Sequence, residues 1–161
     1  MSLKAIESKI FTLEAFISFQ KESLPNQSIV FTNGCFDIVH KGHLSYLSEA
    51  KDLGDFLVIG LNTDDSVQRL KGPNRPIKDE TTRALLLASL FFVDAVILFN
   101  ESTPINLIEA ITPNILVKGA DYEINQVVGA EHVINNGGKV ALLDFIEGHS
   151  TTKLVTKMKE S

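Results

Sequence analysis

Five short runs of apolar and β-branched residues recur along the chain, each separated from the next by a stretch with helical spacing. The runs are Ile29 to Thr32, Phe56 to Leu61, Ala95 to Phe99, Ile115 to Val117 and Val140 to Leu143. Between them, helices are expected over about 43–52, 79–92, 103–111 and 125–136, with a last one from about 150 to 159. Strands that alternate with helices join through right-handed crossovers into a parallel sheet, and such a sheet is covered on both faces. The expected fold class is therefore α/β, a five-stranded parallel sheet with helices on both sides. Ahead of it, Leu3, Ile6, Ile10, Leu13, Phe16 and Ile17 fall at helical spacing, so residues 2–22 read as one amphipathic helix ended by Pro25. Residues 1–27 are then an N-terminal helix and linker, and 28–161 the main unit of a single globular domain.

A chain of 161 residues, 44% hydrophobic, is the usual size for one core. Its net charge of −5 is the wrong sign for a nucleic-acid footprint, and the 15 Lys and Arg are scattered. No run approaches the roughly 18 apolar residues that span a bilayer. The start, MSLKAIESKIFTLEAF, carries acidic residues where a signal peptide is basic and then apolar. A soluble cytoplasmic protein is expected, with neither nucleic acid nor membrane as partner. Cys35 is the single cysteine, which excludes an intrachain disulfide and is compatible with a reducing compartment. The N-terminal segment and the run LASLFFVDAVILF hold more apolar surface than a free tail or one sheet edge should expose, so a homodimer through one of them is expected.

Ligands of open parallel sheets bind beyond the carboxyl ends of the strands. TNGCFDIVHKGH, following the first strand, occupies that place. A dinucleotide turn needs G-x-G-x-x-G, whereas here Gly34 stands alone until Gly42. Gly42 lets backbone come close to a ligand, and the helix beginning near it offers N–H groups to an anion. His40 and His43 flank that point. A histidine at a helix start is usually a surface or hydrogen-bonded residue. A zinc site from Cys35, His40 and His43 lacks a second ligand pair at finger-like spacing. Two imidazole donors beside a glycine turn also suit charge building on a phosphoryl oxygen.

The run GCFDIVHKGH resembles the H-x-G-H signature of the nucleotidyltransferase superfamily of cytidylyltransferases and adenylyltransferases. The resemblance continues in order through LGDFLVIGLNTDDSVQRLKG, NILVKGADY at 114–122 and GHSTTKLV at 148–155, and covers residues 28–158. Within the superfamily, TNGCFD, RLKGPNRP, VKGADY and STT together are most similar to the D-glycero-β-D-manno-heptose-1-phosphate adenylyltransferases. The implied fold is Rossmann-like. The implied reaction is a direct displacement, in which the sugar phosphate attacks the α-phosphorus of ATP and pyrophosphate leaves. Mg²⁺ travels with the ATP phosphates, no metal ligand from the protein is assigned, and no enzyme nucleophile is required. Catalysis then comes from positioning and electrostatics.

The resemblance implies catalytic roles for His40, His43 and Lys71. It implies nucleotide binding by Asn33, Gly34, Cys35, Phe36, Asp37, Gly42, Arg83, Lys118, Gly119, Asp121, Ser150, Thr151 and Thr152, with Arg75 assigned beside Lys71 to the phosphates. Simpler readings stand next to these. Ser150 is a fitting N-cap, Lys71 a solvated loop cation and Arg83 a charge on a helix surface. Asp37 either orients a histidine or caps the turn. Lys41 at the variable position of the histidine motif, and Ala120 in VKGADY where many heptose enzymes have glycine, are small departures. About 27 residues precede the first strand, so the sugar kinase often fused ahead of such modules is expected on a separate protein. The rival readings are a cytidylyltransferase for glycerol 3-phosphate or a similar small phosphate, and a non-catalytic nucleotide- or zinc-binding module.

Overall fold

Six parallel strands, one more than the sequence suggests, form a single sheet in the order β1-β4-β3-β2-β5-β6. The structure is a computed structural model and describes residues 2–144. The strands are β1 (Ile10–Phe11), β2 (Ile29–Gly34), β3 (Phe56–Asn62), β4 (Ala95–Phe99), β5 (Ile115–Gly119) and β6 (Lys139–Leu143). The helices are α1 (Leu3–Glu7), α2 (Leu13–Ser23), α3 (Lys41–Lys51), α4 (Asp64–Lys71), α5 (Glu80–Ala88), α6 (Ile105–Ile111) and α7 (Ala130–Asn135).

Side chains alternate across the sheet, so each central strand feeds two cores. Leu57, Ile59 and Leu61 of β3 join Val30 and pack beneath Tyr46 and Leu47 of α3 and Ala84 and Leu87 of α5. Val58, Phe31, Ile97 and Leu116 face the other way, against Phe16 of α2, Ile108 and Ile111 of α6 and Val133 of α7. Gly60 interrupts the apolar run because a Cβ there would lie 2.8 Å from Cζ of Phe31.

The N-terminal segment differs most from expectation. The single helix over 2–22 is instead α1, β1 and α2, and β1 pairs Ile10 with Val96 and Phe11 with Ile97 at the sheet edge. The apolar spacing is real, but Thr12 accepts from the Ala15 amide at 3.2 Å and caps a new helix. Ile10 and Phe11 gain a ladder by leaving the helix. Lys9 fixes the edge by donating to the Val93 carbonyl at 2.7 Å. Ile10 and Phe11 thus add a strand to the edge of the sheet.

Smaller differences have local causes. Helix α4 was not expected because it buries only Ser66 and Val67 and so shows no apolar period. Thr63 caps it, Asp64 and Asp65 open it, and Arg69 and Lys71 close it, the order the helix dipole favours. The helix expected over 79–92 stops at Ala88, and the one expected over 125–136 divides into a 3-10 turn at Ile124–Gln126 and α7, with Gly129 at φ +85° between them. Helix α6 begins at Ile105, while β2 and β5 run on to Gly34 and Gly119. The helix expected over about 150–159 lies outside the described residues. Of the run proposed as a dimer surface, Ala95, Val96 and Ile97 are buried in β4, and Phe91 stands 83% exposed. Among the described residues no helix is long and apolar enough to cross a membrane.

Phe16 tests how far the N-terminal segment belongs to the core. It is fully buried, with Phe11, Phe19 and Phe56 around it at ring-centroid distances of 5.6, 6.4 and 6.2 Å. Phe16→Ala is expected to cost about 3–5 kcal/mol in urea unfolding, the range for a buried aromatic. A detachable helix would give almost no change.

Candidate active site

From β2 the chain moves to β3 on one side of the sheet and later to β5 on the other, so the loops after β2 and β5 diverge and open a crevice. Lys118, near the end of β5, donates from Nζ to Oδ1 of Asn33 near the end of β2 and spans the crevice floor. Beyond Asn33 the chain turns sharply. Phe36 takes a left-handed backbone at φ +44°, strained for a bulky residue. Its ring folds back over Gly34, where an added Cβ would lie 3.0 Å from Cε2 of Phe36, and it packs against His43 with centroids 5.3 Å apart. His40 then caps α3, its Nδ1 accepting from the Gly42 amide at 3.1 Å. The two imidazoles stack with centroids 4.0 Å apart.

Burial sets the electrostatics here. The His43 pKa is pushed down to about 4, first by burial and then by the charges of His40 and Lys71; the Ile38 carbonyl opposes the shift. His43 is therefore neutral at pH 7. Its Nδ1 is buried and makes no well-formed hydrogen bond within the described residues. Lys118 is pushed down to about 8 by burial, with Asp121 acting to keep it charged. Burial pushes the Cys35 thiol up against the opposing charge of Lys71 and Arg83, so the thiol stays protonated. Burial likewise moves Tyr46 up to about 12, and its hydroxyl shares a 2.8 Å hydrogen bond with Thr32.

A cavity of about 330 Å³ fills the crevice. Of the residues expected in the site, it brings together Asn33, Gly34, Cys35, Phe36, Asp37, His43, Lys71, Lys118, Gly119 and Asp121. Two tyrosines join them without having been expected. Tyr46 lies one helical turn after His43, a spacing that could have signalled it, and Tyr122 closes the VKGADY motif. His40 is not among the lining residues and stands behind His43. Gly42 is buried in the first turn of α3 with its amide engaged by His40, so it does not present that N–H to an anion. Ser150, Thr151 and Thr152 lie outside the described residues.

Arg83 is neither a helix-surface charge nor a group facing the cavity. It is fully buried and donates to the carbonyls of Lys78 (3.0 Å), Cys35 (2.7 Å) and Asn62 (2.8 Å) and to Asp64 (2.7 Å). Asp37 is 2% exposed and neither orients a histidine nor caps its own turn through the bonds it makes. It accepts from Arg75 Nε (2.6 Å) and from the amides of Ile77 (2.8 Å) and Lys78 (3.1 Å). Burial would raise its pKa, but the two amides and the guanidinium outweigh that and hold the carboxyl below its usual range. Arg75 is held by this pair and has its Nη2 buried without a hydrogen-bond partner among the described residues. No cluster of three or more His, Cys, Asp or Glu suited to a metal ion occurs among the described residues.

The cytidylyltransferase-like family profile matches residues 31–157, from the turn-bearing strand to near the end of the sequence. The chain belongs to the cytidylyltransferase-like family. Among this family member's relatives, the bifunctional protein HldE of Helicobacter hepaticus is 53% identical over 156 residues, a match covering 97% of this chain and 31% of that protein. HldE of Helicobacter pylori is 52% identical over 159 residues, covering 99% and 33%. The chain spans about a third of the length of these curated relatives. Among solved structures, the lipopolysaccharide core biosynthesis protein of Thermoplasma volcanium aligns with a TM-score of 0.60 and 32% identity over 77% of this chain and 100% of that one. Pantoate-β-alanine ligase of Francisella tularensis, 16% identical, shares the fold with a TM-score of 0.60 over 94% of this chain and 78% of its own. The fold is thus Rossmann-like, and the chain is a nucleotidyltransferase.

Lys118 gives the site a measurable pH signature. Its ordinary pKa is 10.5 and its folded value about 8, so between these limits the unfolded chain binds more protons than the folded one. Lys118 therefore weakens the fold most below pH 8, and stability rises through the window from about 8 to 10.5. Lys118→Met is expected to flatten that part of the stability–pH curve in urea titrations. An unchanged slope would show that Lys118 is not held in this desolvated state.

Proposed function

We propose that this chain transfers the adenylyl group of ATP to D-glycero-β-D-manno-heptose 1-phosphate, giving ADP-heptose and pyrophosphate. The observation that carries the reading is a crevice rich in cations and neutral donors that holds no activated nucleophile among the described residues. Lys71, Lys118 and His43 line it, and its one thiol is held protonated. Such a site suits direct displacement. An oxygen of the sugar phosphate attacks the α-phosphorus, the bond to the bridging oxygen of the β-phosphate breaks, and that oxygen leaves with the electron pair as pyrophosphate. The acceptor comes from the resemblance to the heptose-1-phosphate adenylyltransferases. It is supported by about 50% identity to the HldE proteins and by the likeness to a lipopolysaccharide core biosynthesis protein.

In this reading His43 donates to an oxygen of the α-phosphate and His40, stacked behind it, fixes its ring. Lys71 neutralises phosphate charge at one side of the cavity. Lys118, Gly119 and Asp121 hold the nucleotide at the other, beside Asn33 and the Gly34 to Asp37 turn. Ser150, Thr151 and Thr152 are assigned to the triphosphate by the same resemblance. The donor set fits a metal carried by the nucleotide rather than by a protein cage: Asp37 is engaged elsewhere, and Asp121 is the other carboxylate at the cavity among the described residues. Mg²⁺ bound to ATP supplies neutralisation of the triphosphate charge. A sugar kinase supplies the heptose 1-phosphate.

Two measurements test this. Pyrophosphate release is expected with ATP, Mg²⁺ and heptose 1-phosphate, and a strong preference for CTP with glycerol 3-phosphate would reassign the substrates. His43→Ala is expected to lose on the order of a hundredfold in turnover, as when one donor is removed from an oxyanion site, while ATP affinity by calorimetry changes much less. If His43 served only the helix start, the variant would cost about 1 kcal/mol of stability and keep its turnover.

A further inference from the structure

Residues 72–79 connect α4 to α5 and contain Gly72 at φ +94°, Pro73, Asn74 and Pro76, a composition that ordinarily gives a loop of independent conformation. Here the loop is tied down from beneath. Both oxygens of Asp37 face it, accepting from the Arg75 guanidinium and from the Ile77 and Lys78 amides, while Arg83 holds the Lys78 carbonyl. A carboxylate withdrawn from water keeps its charge only when donors surround it, so this contact has one favourable geometry rather than many. Lys71 is the last residue of α4, directly ahead of the loop; it lines the cavity, and its charge acts on His43 and Cys35.

We propose that Asp37 is a positioning residue: it fastens the 72–79 strap to the histidine turn and so holds Lys71 at the cavity. The inference rests on the assignment of Lys71 to substrate phosphate. The strap fixes where α4 ends, and Asp37 is the group through which that end is registered against the turn carrying Gly34 and Phe36. The side chain of Asp37 acts on the reaction through Lys71.

Asp37→Asn keeps the shape and removes the charge. It is expected to raise KM for at least one substrate on the order of tenfold, with kcat changed less, since a misplaced binding group costs that much or more. In a Lys71→Ala background the same substitution should add less than about twofold, because residues acting through one contact are not additive. Trypsin should cut after Lys71 and Lys78 faster in Asp37→Asn than in the parent protein. Arg75→Gln, which leaves both amide bonds in place, should show the same KM and proteolysis changes in milder form, and it carries the test if Asp37→Asn does not fold. Full activity of Lys71→Ala would overturn the phosphate assignment. An impaired Lys71→Ala whose defect multiplies with that of Asp37→Asn, or of Arg75→Gln in its place, would overturn the positioning role, as would unchanged KM and unchanged strap protection.

Discussion

One buried guanidinium determines how the loops of this protein meet. Arg83 projects from α5 beneath the ends of β2 and β3 and donates to the Cys35 and Asn62 carbonyls with the same Nη1. Its Nε takes the Lys78 carbonyl and its Nη2 the Asp64 carboxylate. Three stretches of the chain thus share one cation: the histidine turn, the junction of β3 with α4 and the strap before α5. Burying that charge is costly, and only a full set of acceptors offsets the loss of water. The planar fork of arginine reaches several acceptors at fixed angles, which a lysine cannot.

The chemistry depends on that frame more than on any unusual reactive group. The proposed displacement, in which substrate oxygens do all the bond making, asks the protein for placement and for donors that need not reorganise. His43 is packed between Phe36 and His40. Desolvation holds it neutral, so it offers hydrogen bonding rather than a mobile proton. Phe36 reaches it only through a left-handed backbone over a glycine, a local strain that the surrounding core sustains. Lys118 contributes positive charge from the end of β5 and Lys71 from the end of α4.

The central sheet was legible because β2 to β5 are buried on both faces and read as apolar runs. Strand β1 was not, since two residues at an edge carry no period of their own and Ile10 also satisfies helical spacing. Helix α4 escaped for the opposite reason: its stability comes from Thr63 and its charge order, and it buries little. In the site, the residue types at the strand ends announced the cavity, and most of them line it. What the sequence hid was the direction of two charges. Nothing in TTRALLL shows that Arg83 points inward, because three of its four partners are backbone carbonyls, which every residue carries. Asp37 likewise found its partners 38 to 41 positions away, in a loop whose course depends on tertiary contacts.

The two misread charges are linked, and the link explains why both are buried. Arg83 takes the Lys78 carbonyl while Asp37 takes the Lys78 amide, so a single peptide-bearing residue of the strap is gripped from both of its polar groups. A loop held this way cannot slide along the turn without leaving a buried cation short of an acceptor or a buried anion short of a donor. Either deficit is larger than the worth of an ordinary hydrogen bond. Apolar packing would resist such sliding less, since neighbouring registers of a greasy contact differ little in energy. Charge buried in loops is therefore the device that gives a proline-marked connection the fixed geometry its neighbouring lysine needs.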